Sequence, residues 1–272
     1  EEDIMFITTP QCSSLCFWLS LLPLVLGGVG VILDKFNPQS WVETAETNKI
    51  TFCISVSTQL AQIADTMTND NKKLCPSIKK IVSSSAPLDI DTRNKCLNHF
   101  ACEIFETYGL SETGFVTLKK LKKDNEQNNS IGKPLPFVSV KLFDAHKNNF
   151  THETNTTGEI AVKCSSIFDG YGNDLNEHPK YIFKDHFLTG DLAYLDETGE
   201  LTFVGRTQEV IQNSGINVYP LDVEKMVKQY PSVKDACVFG VPEGGSSEKI
   251  VLLYSTSFEI DENDLIRFLL KN

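Results

Sequence analysis

The stretch Tyr108-Gly-Leu-Ser-Glu-Thr-Gly114 sets an aromatic ring, two glycines, two hydroxyls and a carboxylate in a row of seven residues. A ring stacks on flat partners, hydroxyls donate hydrogen bonds, and a carboxylate accepts them or ligates a cation. The stretch follows a short apolar run, Cys102-Glu-Ile-Phe105, so taken alone it reads as a polar loop leaving a strand. Further segments of the same polar, glycine-bearing kind stand elsewhere: Ser83-Ser-Ser-Ala-Pro-Leu88, Thr189-Gly-Asp191, Gly205-Arg206 and the run 214–224, SGINVYPLDVE.

The elements around them decide whether these are ordinary loops. Apolar runs at 3–9, 29–33, 50–56, 78–82 and 102–105 alternate with helical patterns at 14–26, after Asn37-Pro38, at 57–67 and at 89–99. Asn37 is a cap and Pro38 a first helical residue. Leu60, Ile63, Ala64 and Met67 recur at helical spacing. Five strands alternating with helices predict an α/β fold with a doubly wound, mostly parallel sheet. Ligands of such sheets bind beyond the carboxyl ends of strands, where both 83–88 and 108–114 fall. A polar connector, 119–130, then leads into alternating strands at 138–144, 158–164, 192–196 and 200–205, with a hairpin turn at Asp196-Glu-Thr-Gly199. A helix at 221–229, two strands and a helix from Asp261 close the chain. The expected division is an α/β subdomain over 1–118, a β-rich subdomain over 119–207, and the first part of an α+β domain over 208–272.

Bulk properties exclude several function classes. A net charge of −11 over 272 residues opposes nucleic acid and anionic membrane as partners. Eight cysteines without a C-x-x-C pair are buried hydrophobes of a reducing, cytoplasmic compartment rather than a disulfide framework. Residues 15–33 carry no charge and are long enough to span a bilayer. Pro23 and Gly27-Gly28 nevertheless split the run, and no basic cluster flanks it. We therefore expect a buried helix over 15–26 and a central strand over 29–33.

Taken singly, Tyr108 reads as core, Asp191 as a turn former and Arg206 as a surface charge. Together, SSSAPL, YGLSETG, SIGKPLP, GEIAV, TGDLAYLDETGELTFVGR and INVYPLDVE stand in the order and spacing of one family. The sequence resembles the adenylate-forming superfamily, in its acyl-CoA synthetase or acid–thiol ligase branch, over essentially the whole chain. The resemblance implies an AMP-forming ligase that activates a small-molecule carboxylic acid with ATP and hands the acyl group to coenzyme A. Amino-acid or fatty-acid adenylation with transfer to a carrier-protein thiol, and a non-catalytic nucleotide-binding relic, are the alternatives.

The resemblance also implies roles. Ser85, Ala86 and Pro87 line the AMP/ATP site, Tyr108 packs on adenine, and Gly109 leaves room for a close backbone approach. Ser111 donates to the α-phosphate, and Glu112 ligates Mg²⁺ with phosphate oxygens. Asp191 accepts from the ribose hydroxyls and Arg206 supports the same sugar. Arg206 stands in a lysine-biased chain whose other arginines are Arg93 and Arg267, so its planar multi-donor head is the reason to keep it. Gln208 marks the hinge, where relatives carry Asp or Lys; Ser214 and Gly215 form the coenzyme A-side loop. Ser84 and Ser85 replace glycines, Ser13 a histidine and Gln212 a lysine of the family pattern. A glycine-rich phosphate loop and a C-terminal lysine of the family are not found, so the sequence is expected to be a fragment that forms no acyl-adenylate by itself.

Overall fold

The computed structural model describes residues 3–9, 12–66, 73–123, 129–151, 153–171, 178–244 and 247–271. Met67 and the centre of the 119–130 connector lie outside the described residues. The chain falls into two compact units: Glu1–Val140 with Val162–Lys180 and Thr198–Thr202, and Lys141–Ala161 with Tyr181–Glu197 and Phe203–Asn272.

The first unit opens with β1 (Ile4–Ile7), α1 (Ser14–Leu26), β2 (Val29–Ile32), α2 (Pro38–Thr47), β3 (Phe52–Val56), α3 (Ser57–Asp65), β4 (Lys80–Ser84), α4 (Ile90–His99) and β5 (Glu103–Leu110). Strands β2-β1-β3-β4-β5 are hydrogen-bonded in that order and all parallel. Local chemistry starts the helices where expected. Ser13 caps α1 by accepting from the Cys16 N–H, Asn37 caps α2 ahead of Pro38, and Asp89 caps α4 through the Thr92 N–H. Gly27, at φ 73°, closes α1 in the left-handed conformation.

Alternation along β1 fills both faces of the sheet. Phe6 joins Trp41, Leu60, Ile63, Ile81, Phe100 and Ile104 in one core, while Met5 and Ile7 join Cys16, Leu19 and Ile54 beneath α1. Trp41 is fully buried, with ring centres 5.5 Å from Phe6 and 6.0 Å from Phe100. Cys53, Cys75, Cys96 and Cys102 border the larger core, and burial pushes their thiols up, Cys75 and Cys96 to about 12 and Cys102 to about 11. Not every cysteine is the buried hydrophobe expected: Cys12 and Cys237 are exposed.

Two expectations are corrected here. Strand β2 is an edge strand, not a central one, because β1 pairs with β2 on one side and β3 on the other. Helix α1 buries only the stripe Cys16, Leu19 and Pro23; Phe17, Trp18, Leu24, Val25 and Leu26 are exposed. Its exposed face is as apolar as its buried one, so periodicity alone does not separate them. Among the described residues no helix is long and apolar enough to cross a membrane.

After β5 the pairing changes hand. Strands β6 (Gly114–Lys120) and β7 (Ser130–Pro134) continue antiparallel. The second unit draws on β8 (Ser139–Asp144), β9 (Asn149–Thr151), β10 (Gly158–Lys163), β11 (Ile182–Phe183), β12 (His186–Leu195) and β13 (Leu201–Arg206). Beyond them come the hairpin β14 (Ile211–Asn213) and β15 (Ile216–Val218), α5 (Pro220–Lys228), the hairpin β16 (Val233–Gly244) and β17 (Ser247–Thr256), and α6 (Glu262–Leu269). The two-residue turn Ser214-Gly215 has φ of 49° and 83°, the double positive φ that tight antiparallel hairpins favour.

Trp41→Ala is expected to destabilise the first unit by about 3–5 kcal/mol through lost burial and the cavity left behind. A urea titration followed by circular dichroism checks it, and an unchanged midpoint contradicts this account of the core.

Candidate functional site

The motif 108–114 is a hairpin rather than a loose loop. Tyr108, Gly109 and Leu110 finish β5, and β6 starts at Gly114, with a register irregularity between Tyr108 and Gly109. A Cβ on Gly109 would lie 2.3 Å from the Gly114 carbonyl oxygen, so the close approach it permits is that of the returning strand. Gly114 has φ 69°. Thr113, fully buried, anchors the turn: its carbonyl accepts from Ser166 Oγ at 2.7 Å and from Cys164 Sγ at 3.5 Å. The Phe168 N–H donates to the Glu112 carbonyl at 2.9 Å.

That anchoring turns Ser111 and Glu112 outward. Ser111 is exposed, and its Oγ lies 2.7 Å from Ser14 Oγ in the first turn of α1. The hydroxyl thus stands at the positive end of a helix that follows β1. Sheets ordered 2-1-3-4-5 reverse direction between β1 and β3, where their ligands bind. Glu112 accepts from the Tyr171 hydroxyl at 3.0 Å through Oε1. Tyr108 is half-buried, on the same side of β5 as Ile104.

The 83–88 stretch is held from β5. Glu106 Oε1 accepts from the Leu88 N–H at 2.7 Å. Burial raises the Glu106 carboxyl, while the Leu88 N–H, Lys119 and Arg93 pull it down less strongly. Ser85, Ala86 and Pro87 are exposed, and Ser85 adopts φ 80°, a conformation costing a non-glycine residue roughly 1 kcal/mol or more. Ser85, expected to stand where the family has a glycine, thus has a glycine-type backbone.

In the second unit, Asp191 is 3% exposed and its Oδ1 pairs with Arg206 Nε at 3.2 Å. The kink before it has Gly190 at φ 77°. The Gly190 N–H donates to Glu159 Oε1 at 2.8 Å, and its carbonyl accepts from Thr207 Oγ1 at 3.2 Å. Thr189 Oγ1 accepts from the Asp191 N–H and donates to the Ile160 carbonyl. Gln208 sits exposed in a short 3-10 turn, Thr207–Glu209. The Ser214 N–H donates to Ser247 Oγ, so the Ser214-Gly215 turn is tied to β17.

A family model for AMP-binding enzymes matches residues 1–172. The chain belongs to the AMP-binding enzyme family. It is 29% identical to the medium/long-chain-fatty-acid–CoA ligase FadD8 of Mycobacterium tuberculosis, over 86% of this chain and 41% of that protein. It is 27% identical to a 4-coumarate–CoA ligase-like protein of rice, over 90% of this chain and 48% of that one. The fold matches o-succinylbenzoate coenzyme A synthetase from Bacillus subtilis, solved with ATP and magnesium ion, with a TM-score of 0.84 at 24% identity over 98% of this chain and 55% of that one. The chain spans about half the length of the curated relatives it matches.

Sequence reasoning singled out Ser111, Glu112, Asp191 and Arg206, and the structure puts the first two on one turn and the last two in one ion pair. It missed Glu106, Glu159 and Tyr171. Glu106 was readable as a carboxylate on the inward face of β5, two residues from Ile104. Glu159 lay inside the quoted GEIAV run. For Tyr171, 59 residues from Glu112, no local pattern exists.

Glu106 gives a pH test. With its folded value above the ordinary 4.5, it adds stability below pH 4.5 that is lost as pH rises through the folded value. Glu106→Gln keeps an acceptor for the Leu88 N–H and removes the buried charge. The variant is expected to melt higher than the parent at pH 8 and no higher at pH 4. A lower melting point at pH 8 contradicts this balance.

Proposed function

We propose that this chain is part of an AMP-forming acyl-CoA synthetase, which joins a carboxylic acid to AMP from ATP and passes the acyl group to coenzyme A. The observation that carries the reading is the pinned hairpin, which presents Ser111 at the start of α1 with Glu112 beside it, in a chain of the AMP-binding enzyme family. The CoA ligases among its relatives and the ATP-bound structural neighbour support the same reaction class.

In the first step a carboxylate oxygen attacks the α-phosphorus of ATP. One P–O bond forms, the bond to pyrophosphate breaks, and negative charge grows on the phosphate oxygens. Such a reaction calls for fixed donors and positive charge rather than a covalent partner. Ser111 Oγ is the donor, and the α1 N-terminus adds a favourable field at low cost. Tyr108 packs on adenine beside Ser85, Ala86 and Pro87, and Asp191 accepts from the ribose with Arg206 supporting it. Gln208 is the hinge position, and the tight Ser214-Gly215 turn lies on the coenzyme A side. Residues 1–118, 119–207 and 208–272 are the corresponding functional segments.

Magnesium fits the donor set in one way. Among the described residues no group of three or more His, Cys, Asp or Glu side chains is arranged for a metal. Glu112 is a single carboxylate, oriented by Tyr171, which suits an ion that takes most of its ligands from phosphates and water. When bound, Mg²⁺ neutralises phosphate charge. Eight unpaired cysteines fit a reducing compartment, and we assign the protein to the cytoplasm.

In the full-length enzyme, Glu112→Gln is expected to lower ATP–pyrophosphate exchange, assayed with a panel of carboxylic acids, by on the order of 10². AMP binding by titration calorimetry, which needs no metal, is expected to stay within about twofold, since the lost carboxylate serves the outer phosphates. An unchanged exchange rate removes Glu112 from the mechanism, and absence of AMP binding by the parent chain removes the nucleotide reading.

A further inference from the structure

We infer that Glu159 is a positioning residue for ribose recognition, acting through the Gly190 backbone on Asp191. The inference rests on the reading of Asp191 as the ribose acceptor. Gly190 occurs inside β12 with φ 77°, a conformation that breaks the regular course of a strand and re-aims the residue after it. Side chains bond both polar groups of that backbone unit. Glu159 Oε1, from β10, takes the N–H at 2.8 Å, and Thr207 Oγ1, just past β13, gives its proton to the carbonyl at 3.2 Å. The next residue is Asp191, buried to 3% exposure, with Oδ1 on Arg206 Nε.

Glu159 holds this place against its own electrostatics. Burial raises its carboxyl, the Gly190 N–H pulls it back, and the nearby Asp191 charge raises it again. Thr189 Oγ1 already bonds the Asp191 N–H and the Ile160 carbonyl, leaving Glu159 to hold the kink at Gly190 itself. The carboxylate at 159 therefore fixes the backbone from which the Asp191 side chain starts. A carboxylate that must meet ribose hydroxyls at hydrogen-bond distance is sensitive to shifts of well under 1 Å.

The readout is discrimination between AMP and 2′,3′-dideoxy-AMP, measured by titration calorimetry on the parent chain and four variants. Asp191→Ala is expected to erase the preference for AMP, which tests the ribose reading separately. Glu159→Gln keeps an acceptor of the same length and is expected to retain the preference. Glu159→Asp, one methylene shorter, and Glu159→Ala are expected to lose at least about tenfold of it while dideoxy-AMP binding changes little, as for a displaced hydrogen bond to a charged group. An Asp191→Ala variant that keeps the preference overturns the ribose reading. If Asp191→Ala erases it but Glu159→Asp retains it, or Glu159→Gln loses it, the positioning role is overturned. The Asp and Gln variants keep a polar side chain of near-native size, so the outcome does not hang on the folding of Glu159→Ala.

Discussion

Parallel strands cannot be joined by a tight turn, because the chain must cross back over the sheet between them. The structure turns on the place where this rule stops applying. Strand β5 pairs parallel with β4 on one side and antiparallel with β6 on the other, so a short reversal becomes possible only at its carboxyl end. That end is where a doubly wound sheet receives ligands. The reversal needs a residue with no side chain against the returning strand and one with positive φ to start that strand, which Gly109 and Gly114 supply. Ser111 is exposed and Glu112 half-buried because the turn has nowhere else to put them.

The second unit solves a similar problem by other means. Around Gly190, hydroxyls and a carboxylate take on backbone bonding at a kink in β12. A turn pinned by its own carbonyls tolerates changes in outward side chains. A kink pinned by side chains does not, and substitutions at Thr189, Glu159 or Thr207 reach the backbone directly.

Much of this was legible in the sequence. The helix bounds of α1, the cap Asn37 and the strand alternation come from local chemistry: an oxygen-bearing cap, a proline at the first helical position, a glycine at the end. The order of strands is set by which faces find each other, so β2 was misplaced in the centre when β1 stands between it and β3. Helix α1 has no polar side to mark its exposed face. Partners such as Tyr171 and Glu112 meet through tertiary contact across long stretches of chain, and no spacing rule reports that. Glu106 and Glu159 were visible as charges within strands, where a carboxylate needs a donor; their donors are the N–H groups of Leu88 and Gly190.

The four cysteines around the larger core have a kinetic meaning. Nucleophilic thiol chemistry runs through the thiolate, and burial holds Cys53, Cys75, Cys96 and Cys102 as thiols. Each contributes packing to the sheet and almost no reactivity while the unit is closed. They sit against different elements, Cys53 on β3, Cys75 ahead of β4, Cys96 on α4 and Cys102 ahead of β5. Cys53, Cys75 and Cys96 are buried, so an alkylating reagent meets them only as each element lifts away, while half-buried Cys102 reports the reagent's access from the closed state. Their separate rates of modification form a clock for the breathing of the sheet, strand by strand.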